Sequence, residues 1–255
     1  MRKRIPSTSA SRGCSLIKNS LMEFYFWISE CTEPYRNLAL EQDMMEYLSG
    51  DMAILYLWQN EDTIVVGRNQ DIYSECKAQE FLDAGGRLAR RYSGGGAVYH
   101  DSGNLNYSII SRTCKEECRY YELLERALVL VGIKADYNER NDLTVNGKKV
   151  SGNAVYERRG VVCQHGTILI DTNISRMEYF LTPDISKLSR NKVKSVGARV
   201  ANLCDFHKDI KITDVRDSLI DATNAQPFEY SPDAEIVKSL TDFYKSDGWI
   251  FGGRR

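Results

Sequence analysis

The chain has 255 residues, 42% of them hydrophobic and 27% charged, and a formal net charge of -1. That balance gives no general attraction to nucleic acid or to a membrane surface, and no apolar run approaches the ~20 residues of a transmembrane helix. Seven cysteines, an odd number at irregular spacing, point to reduced thiols rather than a disulfide framework.

Residues 1–22 hold five basic side chains, many serines and no acid. This is the composition of a transit peptide, of a disordered tail, or of sequence upstream of a start at Met22. It lacks the apolar core of a secretory signal. Residues 23–255 are expected to form one domain. The cytoplasm is the expected compartment, with the mitochondrion as the alternative.

Glu23 to Ser29 reads as a strand. Asn37 is a good N-cap for a helix with Leu38, Met44, Met45 and Leu48 on one face, stopped by Gly50. Ala53–Trp58 and Thr63–Val66 read as two strands joined by the polar turn at Asn60-Glu61-Asp62. Gly67 to Gln70 follows and could reach a site. Cys76 to Ala84 is a short helix closed by Gly85-Gly86, and Arg87–Arg90 is a strand. After it comes RRYSGGGAVYHDSGNLN, Arg90 to Asn106, and then a strand over Leu105–Ile110. Cys118 to Val131 has helical spacing and ends at Gly132. Leu143–Val150 is a hairpin around Asn146-Gly147, and Val161–Ile170 is a strand. Two late helices are predicted at Thr213–Ala222 and Ser231–Lys245, the second capped by Ser231 with Pro232 in its first turn. Strands alternating with helices indicate an α+β fold, a mixed or antiparallel β-sheet flanked by helices.

The chemistry concentrates at the three glycines. Without a Cβ the backbone can take φ > 0 and let a ligand approach its N–H groups. Successive N–H groups form a concave nest for anions. Arg90 and Arg91 stand at the entry, and adjacent strand residues point to opposite faces, so one of them faces the loop. An arginine fork suits carboxylate or phosphate. The bland alternative is a surface turn with solvated arginines. No GK[ST] closes the loop and the spacing is not GxGxxG, so neither a P-loop nor a dinucleotide fingerprint is present.

The whole string closely resembles the signature of the lipoate–protein ligase A family, in the biotin/lipoate ligase superfamily. YRNLALEQ (Tyr35–Gln42), LYLWQNEDTIVVGRNQD (Leu55–Asp71), RNDLTVNGKKVSGNA (Arg140–Ala154) and QHGTILID (Gln164–Asp171) extend the resemblance over roughly Tyr35 to Val237. It implies ATP-dependent activation of lipoate to lipoyl-AMP and transfer of the lipoyl group to a lysine of lipoyl-carrier domains. The carriers would be lipoyl domains of 2-oxoacid dehydrogenase complexes or the glycine cleavage H protein. It also implies that Arg91, Ser93, Gly94, Gly95, Gly96, Ala97, Val98, Tyr99, Asn106, Asp142, Lys149 and His165 bind substrate and ATP.

The family's site lysine falls on Lys149, just before Val150-Ser151-Gly152. Alone, a lysine beside a hairpin turn is an ordinary surface residue. In an acid-activating enzyme, a fixed ammonium between carboxylate and α-phosphate lowers their repulsion. Mg²⁺ is expected on the triphosphate, with Asp142 either a metal ligand or a turn residue before a strand. His100 and His165 lie in family motifs, as substrate-orienting or proton-carrying groups or as structural histidines. Full-length family members carry a C-terminal accessory domain that the resemblance does not find here, so a separate accessory protein is a possible partner. Two rivals stay open. An octanoyl or lipoyl transferase would need a cysteine nucleophile, and Cys163 and Cys204 are the nearest candidates. A binding protein would hold lipoate or its adenylate without turnover. A biotin ligase is disfavoured because its glycine–arginine loop pattern is absent.

Overall fold

The computed structural model describes residues 22–48, 50–112, 120–138, 142–181 and 199–252. Strand β1 (Glu23–Ile28) is followed by helix α1 (Pro34–Tyr47), β2 (Met52–Trp58) and β3 (Thr63–Val66). Two short helices, α2 (Ile72–Glu75) and α3 (Ala78–Asp83), lead to β4 (Arg87–Arg90), β5 (Val98–His100) and β6 (Asn104–Ser111). Then come α4 (Tyr120–Leu130), β7 (Asp136–Tyr137), β8 (Asp142–Val145), β9 (Lys148–Arg158) and β10 (Val161–Leu169). Helices α5 (Ile174–Phe180) and α6 (Ile212–Thr223), strand β11 (Gln226–Pro227), and helices α7 (Ala234–Lys245) and α8 (Asp247–Ile250) follow.

Eight strands form a mixed sheet in the order β11-β1-β2-β6-β10-β9-β8-β7, and three form a second sheet, β4-β3-β5. The α+β expectation is met. Leu55, Leu57, Tyr107 and Ile109 on one face of the large sheet pack under Leu124 and Leu128 of α4 and Val215 and Leu219 of α6. Ile54, Tyr56 and Ile110 on the other pack under Leu38, Met44 and Met45 of α1 and Val237 and Tyr244 of α7. No helix among the described residues is long and apolar enough to cross a membrane.

Three local expectations are corrected. Helix α1 begins at Pro34 and is capped by Glu33, whose side chain accepts from Arg36 N–H. Asn37 lies inside it, fully buried, because its amide is needed elsewhere: it donates to the carbonyls of Cys31 and Gln59 and to Asn60 Oδ1. Strands β2 and β3 do not pair with each other but enter different sheets. Asn60, between them, is a buried joint and not a solvated turn residue. The cap of α7 is Asp233, not Ser231, since its carboxylate accepts from the N–H groups of Glu235 and Ile236. The Asn146-Gly147 turn forms as expected, with φ of 50° and 76°, the positive values a type I′ hairpin requires. Cys114 and Cys118, whose spacing could put them on one helical face, lie outside the described residues, as does most of 188–203, the cysteine-free stretch comparable to the loop that carries the nucleophile in a transferase of this type.

Candidate active site

The pocket floor is one face of the large sheet. Antiparallel register sets Asn106 opposite Thr167 and Ser108 opposite His165. It then sets Thr167 opposite Gly152 and His165 opposite Ala154, and Trp58 opposite Asn106. Directly opposed residues share a face, so these side chains form two rows across four strands. Gly152 and Ala154 are small, which leaves space above β9. A cavity of about 200 Å³ lies there, walled by Leu38, Trp58, Val65 and Val98 and by the loop residues Gly95 and Gly96.

Two arginines fix the glycine loop, in opposite directions as strand alternation requires. The Arg91 guanidinium donates to the carbonyls of Gly94, Gly96 and Val65 and to Ser93 Oγ. Its donors therefore shape the loop, where the sequence suggested a fork open to an anion. Burial pushes its pKa down to about 10, against the pull of Glu41 and Glu75, so it stays a cation at neutral pH. Gly95 has a φ of 92°, and a Cβ there would meet Arg91 Nη2 at 2.9 Å. Arg90 donates instead to the carbonyls of Gly67, Arg68, Gln70, Trp249 and Ile250. The Gly67–Gln70 stretch thus supports the loop and does not line the pocket. From the far side, Glu75 accepts the Ala97 N–H at 2.8 Å.

Beneath the loop runs a buried relay. Ser93 Oγ lies 2.6 Å from His165 Nε2, and His165 Nδ1 lies 2.8 Å from Glu41 Oε2. Glu41 also accepts from Ser108 and Tyr156. Burial alone would raise the Glu41 pKa, but the attraction of His165 and the three hydrogen bonds outweigh it and hold the carboxyl below its ordinary value. Sequence reasoning missed Glu41. One signal was available: it falls on the same helical face as Leu38, Met45 and Leu48, where a solvated acid has no place. Polar atoms of Glu41, Cys163 and His165 lie within 4.8 Å of one another, yet the glutamate oxygens are already engaged, and the cluster reads as a hydrogen-bonded support.

Lys149 reaches the pocket from β9. Its Nζ is 2.7 Å from Asp142 Oδ1, with both side chains partly exposed, and a Cβ on Gly152 would come within 2.6 Å of it. The backbone is fixed twice more, as Lys149 N–H donates to Arg199 O and Lys149 O accepts from Ala201 N–H. Lys148 points away and is exposed.

Of the residues singled out in the sequence, Arg91, Gly95, Gly96, Val98, Asn106, Lys149 and His165 line the pocket. Asp142 stands behind the lysine. Ser93 and Gly94 are held by Arg91 within the loop, and Ala97 is held by Glu75 of α2. Tyr99 is not in the pocket: on β5, Val98 and His100 face it, and alternation turns Tyr99 toward Phe81 and Asp62. The candidate nucleophiles are unsuited to that role. Burial raises the Cys163 thiol well above its ordinary pKa, and the neighbouring Glu41 charge adds to the effect. Burial and Asp171 raise Cys204 to about 11. Both thiols are protonated at neutral pH, and a thiol is a poor nucleophile.

Residues 33–224 match the family described as the lipoyl protein ligase A/B catalytic domain. A lipoate-protein ligase A from Psychrobacter cryohalolentis is 35% identical over 240 residues, covering 88% of this chain and 71% of the relative. Among solved structures, the bi-partite lipoate protein ligase of Thermoplasma acidophilum superposes with a TM-score of 0.76 at 29% identity, over 92% of this chain and 98% of that one. A lipoate-protein ligase A bound with ATP gives a TM-score of 0.74 at 26% identity, over 91% and 98% of the two chains.

Proposed function

The chain belongs to the lipoyl protein ligase A/B catalytic domain family, and from that premise we propose that it activates lipoate with ATP and passes the lipoyl group to a lysine of a lipoyl-carrier domain. The observation that carries the reading is Lys149, held by Asp142 at the edge of a pocket whose other wall is the glycine loop. The lipoate carboxylate attacks the α-phosphorus and pyrophosphate leaves, giving lipoyl-AMP. The acceptor lysine amine then attacks the carbonyl carbon, AMP leaves and an amide forms. In the first step two anions must approach, and the Lys149 ammonium offsets their repulsion and the charge developing on phosphorus. The apolar walls align the acyl chain and exclude water.

The donor set fits Mg²⁺ as a triphosphate-borne ion, which needs only one or two protein carboxylates. Asp142 would hold it, and the ion would neutralise phosphate charge. The acceptors are proposed to be lipoyl domains of 2-oxoacid dehydrogenase complexes or the glycine cleavage H protein. Cys31, Cys76, Cys163 and Cys204 are all free thiols, which supports a reducing compartment such as the cytoplasm or the mitochondrial matrix. The similarity to one chain of a bi-partite ligase favours a second reading, in which activation requires a separate accessory protein.

Mass spectrometry of a lipoyl domain tests both. It would be incubated with the chain, lipoate, Mg²⁺ and ATP, and in parallel with synthetic lipoyl-AMP. Modification in both tubes establishes a self-sufficient ligase. Modification with lipoyl-AMP alone establishes the bi-partite reading. No modification in either overturns the proposal.

A further inference from the structure

The end of the pocket farthest from Lys149 is apolar, walled by Leu38, Trp58, Val65 and Val98, but two buried polar side chains also line it. His100 is 3% exposed and Asn106 1%. Neither His100 Nε2 nor Asn106 Nδ2 has a hydrogen-bond partner among the described residues.

A chain of amides fixes what His100 offers. Asn37 Nδ2 donates to two carbonyls and to Asn60 Oδ1. Asn60 must therefore present its Nδ2 to His100 Nδ1, 3.1 Å away. Nδ1 is then an acceptor, and the ring proton sits on Nε2. Burial, with Arg91 and His165 nearby, holds the His100 pKa down to about 3, so the ring is neutral. In the structure Asn106 Oδ1 accepts from Asn104 Nδ2, which leaves Asn106 Nδ2 as an unpaired donor. Both unpaired groups are thus donors without formal charge.

Their place along the pocket follows from the register. Asn106, Thr167 and Gly152 form one row across β6, β10 and β9, and the lysine ammonium lies beside Gly152. Two inter-strand steps of about 4.8 Å put Asn106 roughly 10 Å from that end. A medium-chain acid with its carboxylate at Lys149 would bring its far end to His100 and Asn106. A plain methyl terminus there leaves two desolvated donors unpaired, which is costly. Divalent sulfur is a weak acceptor and relieves part of that cost.

We propose that His100 and Asn106 form a distal donor pair that reads the sulfur end of the acyl chain and selects lipoate over octanoate. The proposal rests on the ligase reading above and deepens it.

Calorimetric titration of the purified chain with lipoate and with octanoate, without ATP or acceptor, tests it. Lipoate should bind more tightly by on the order of tenfold. Asn106→Leu and His100→Leu should each narrow that ratio, and His100→Gln, which restores an N–H near the Nε2 position, should recover it. Equal affinities in the unmodified chain overturn the proposal even if a variant fails to fold. A ratio untouched by both leucine variants also overturns it, while leaving the ligase reading in place. Binding of neither acid overturns both.

Discussion

On one face of the large sheet, Leu55, Leu57, Leu105, Tyr107 and Ile109 belong to an apolar core with Leu124 and Leu128 of α4 and Val215 and Leu219 of α6. On the other, also buried, stand Asn106 and Ser108 of β6 and Thr167 and His165 of the adjacent β10. Strand β6 makes the contrast within one stretch: Leu105, Tyr107 and Ile109 point one way, Asn106 and Ser108 the other, and all are buried. The apolar face is non-directional, because its stabilisation scales with area removed from water. Hydrophobic residues of about the right volume would serve there. The polar face is directional. Glu41, His165 and Ser93 are bonded in series, across separations of 124 and 72 residues in the chain, with Arg91, Ser108 and Tyr156 completing the set. The first face contributes stability through burial alone, whereas on the second the polar groups share the surface with a further apolar cluster under α1 and α7.

Lys149→Ala should separate the two faces most sharply. We expect adenylation of lipoate to fall by roughly 100- to 1,000-fold, the scale on which removal of a transition-state donor acts. Unfolding stability should stay within about 0.5 kcal/mol, because the side chain is partly exposed. Lys148→Ala, on the solvent side of the strand, should leave pyrophosphate release near the original rate. Equal loss from the two variants would contradict the assignment of faces.

Leu55→Ala should do the reverse. A fully buried leucine replaced by alanine costs about 3 kcal/mol through lost transfer energy and the cavity left behind. Urea denaturation reads that loss, and activity per folded molecule should be unchanged.

The pH dependence of stability comes from the polar face. His100 has its pKa lowered from 6.5 to about 3 in the folded chain, so below pH 6.5 the unfolded chain takes up the proton first. Stability from this group is therefore complete above pH 6.5 and declines as pH falls toward 3. The decline amounts to about 2 kcal/mol between pH 6.5 and 5, at 1.36 kcal/mol per unit. His100→Gln should flatten the limb by that amount when denaturation curves are compared across the range.

Gly152→Ala should have the smallest effect. Its Cβ would lie 2.6 Å from Lys149 Nζ, and the flexible lysine end can shift. We expect a roughly tenfold fall in kcat/KM from the misplaced ammonium, with little change in the denaturation midpoint.

By itself the sequence determined the local features: most strands and helices, the Asn146-Gly147 turn, the glycine loop and the opposite facing of two adjacent lysines, of which the family resemblance picked Lys149 for the site. Periodicity and turn chemistry are written in neighbouring residues, and the spacing of two along a strand fixes which side chains share a face. Even Tyr99 was legible on that rule, since it alternates with Val98 and His100. Tertiary structure alone decided the separation of β2 from β3, the use of Arg90 and Arg91 on backbone carbonyls, the burial of Asn37 and the partners of Glu41. A buried polar group must be satisfied, and here its partners come from segments far away in the chain. No local pattern names that partner, and only the packed sheet brings Glu41, His165 and Ser93 within hydrogen-bond reach.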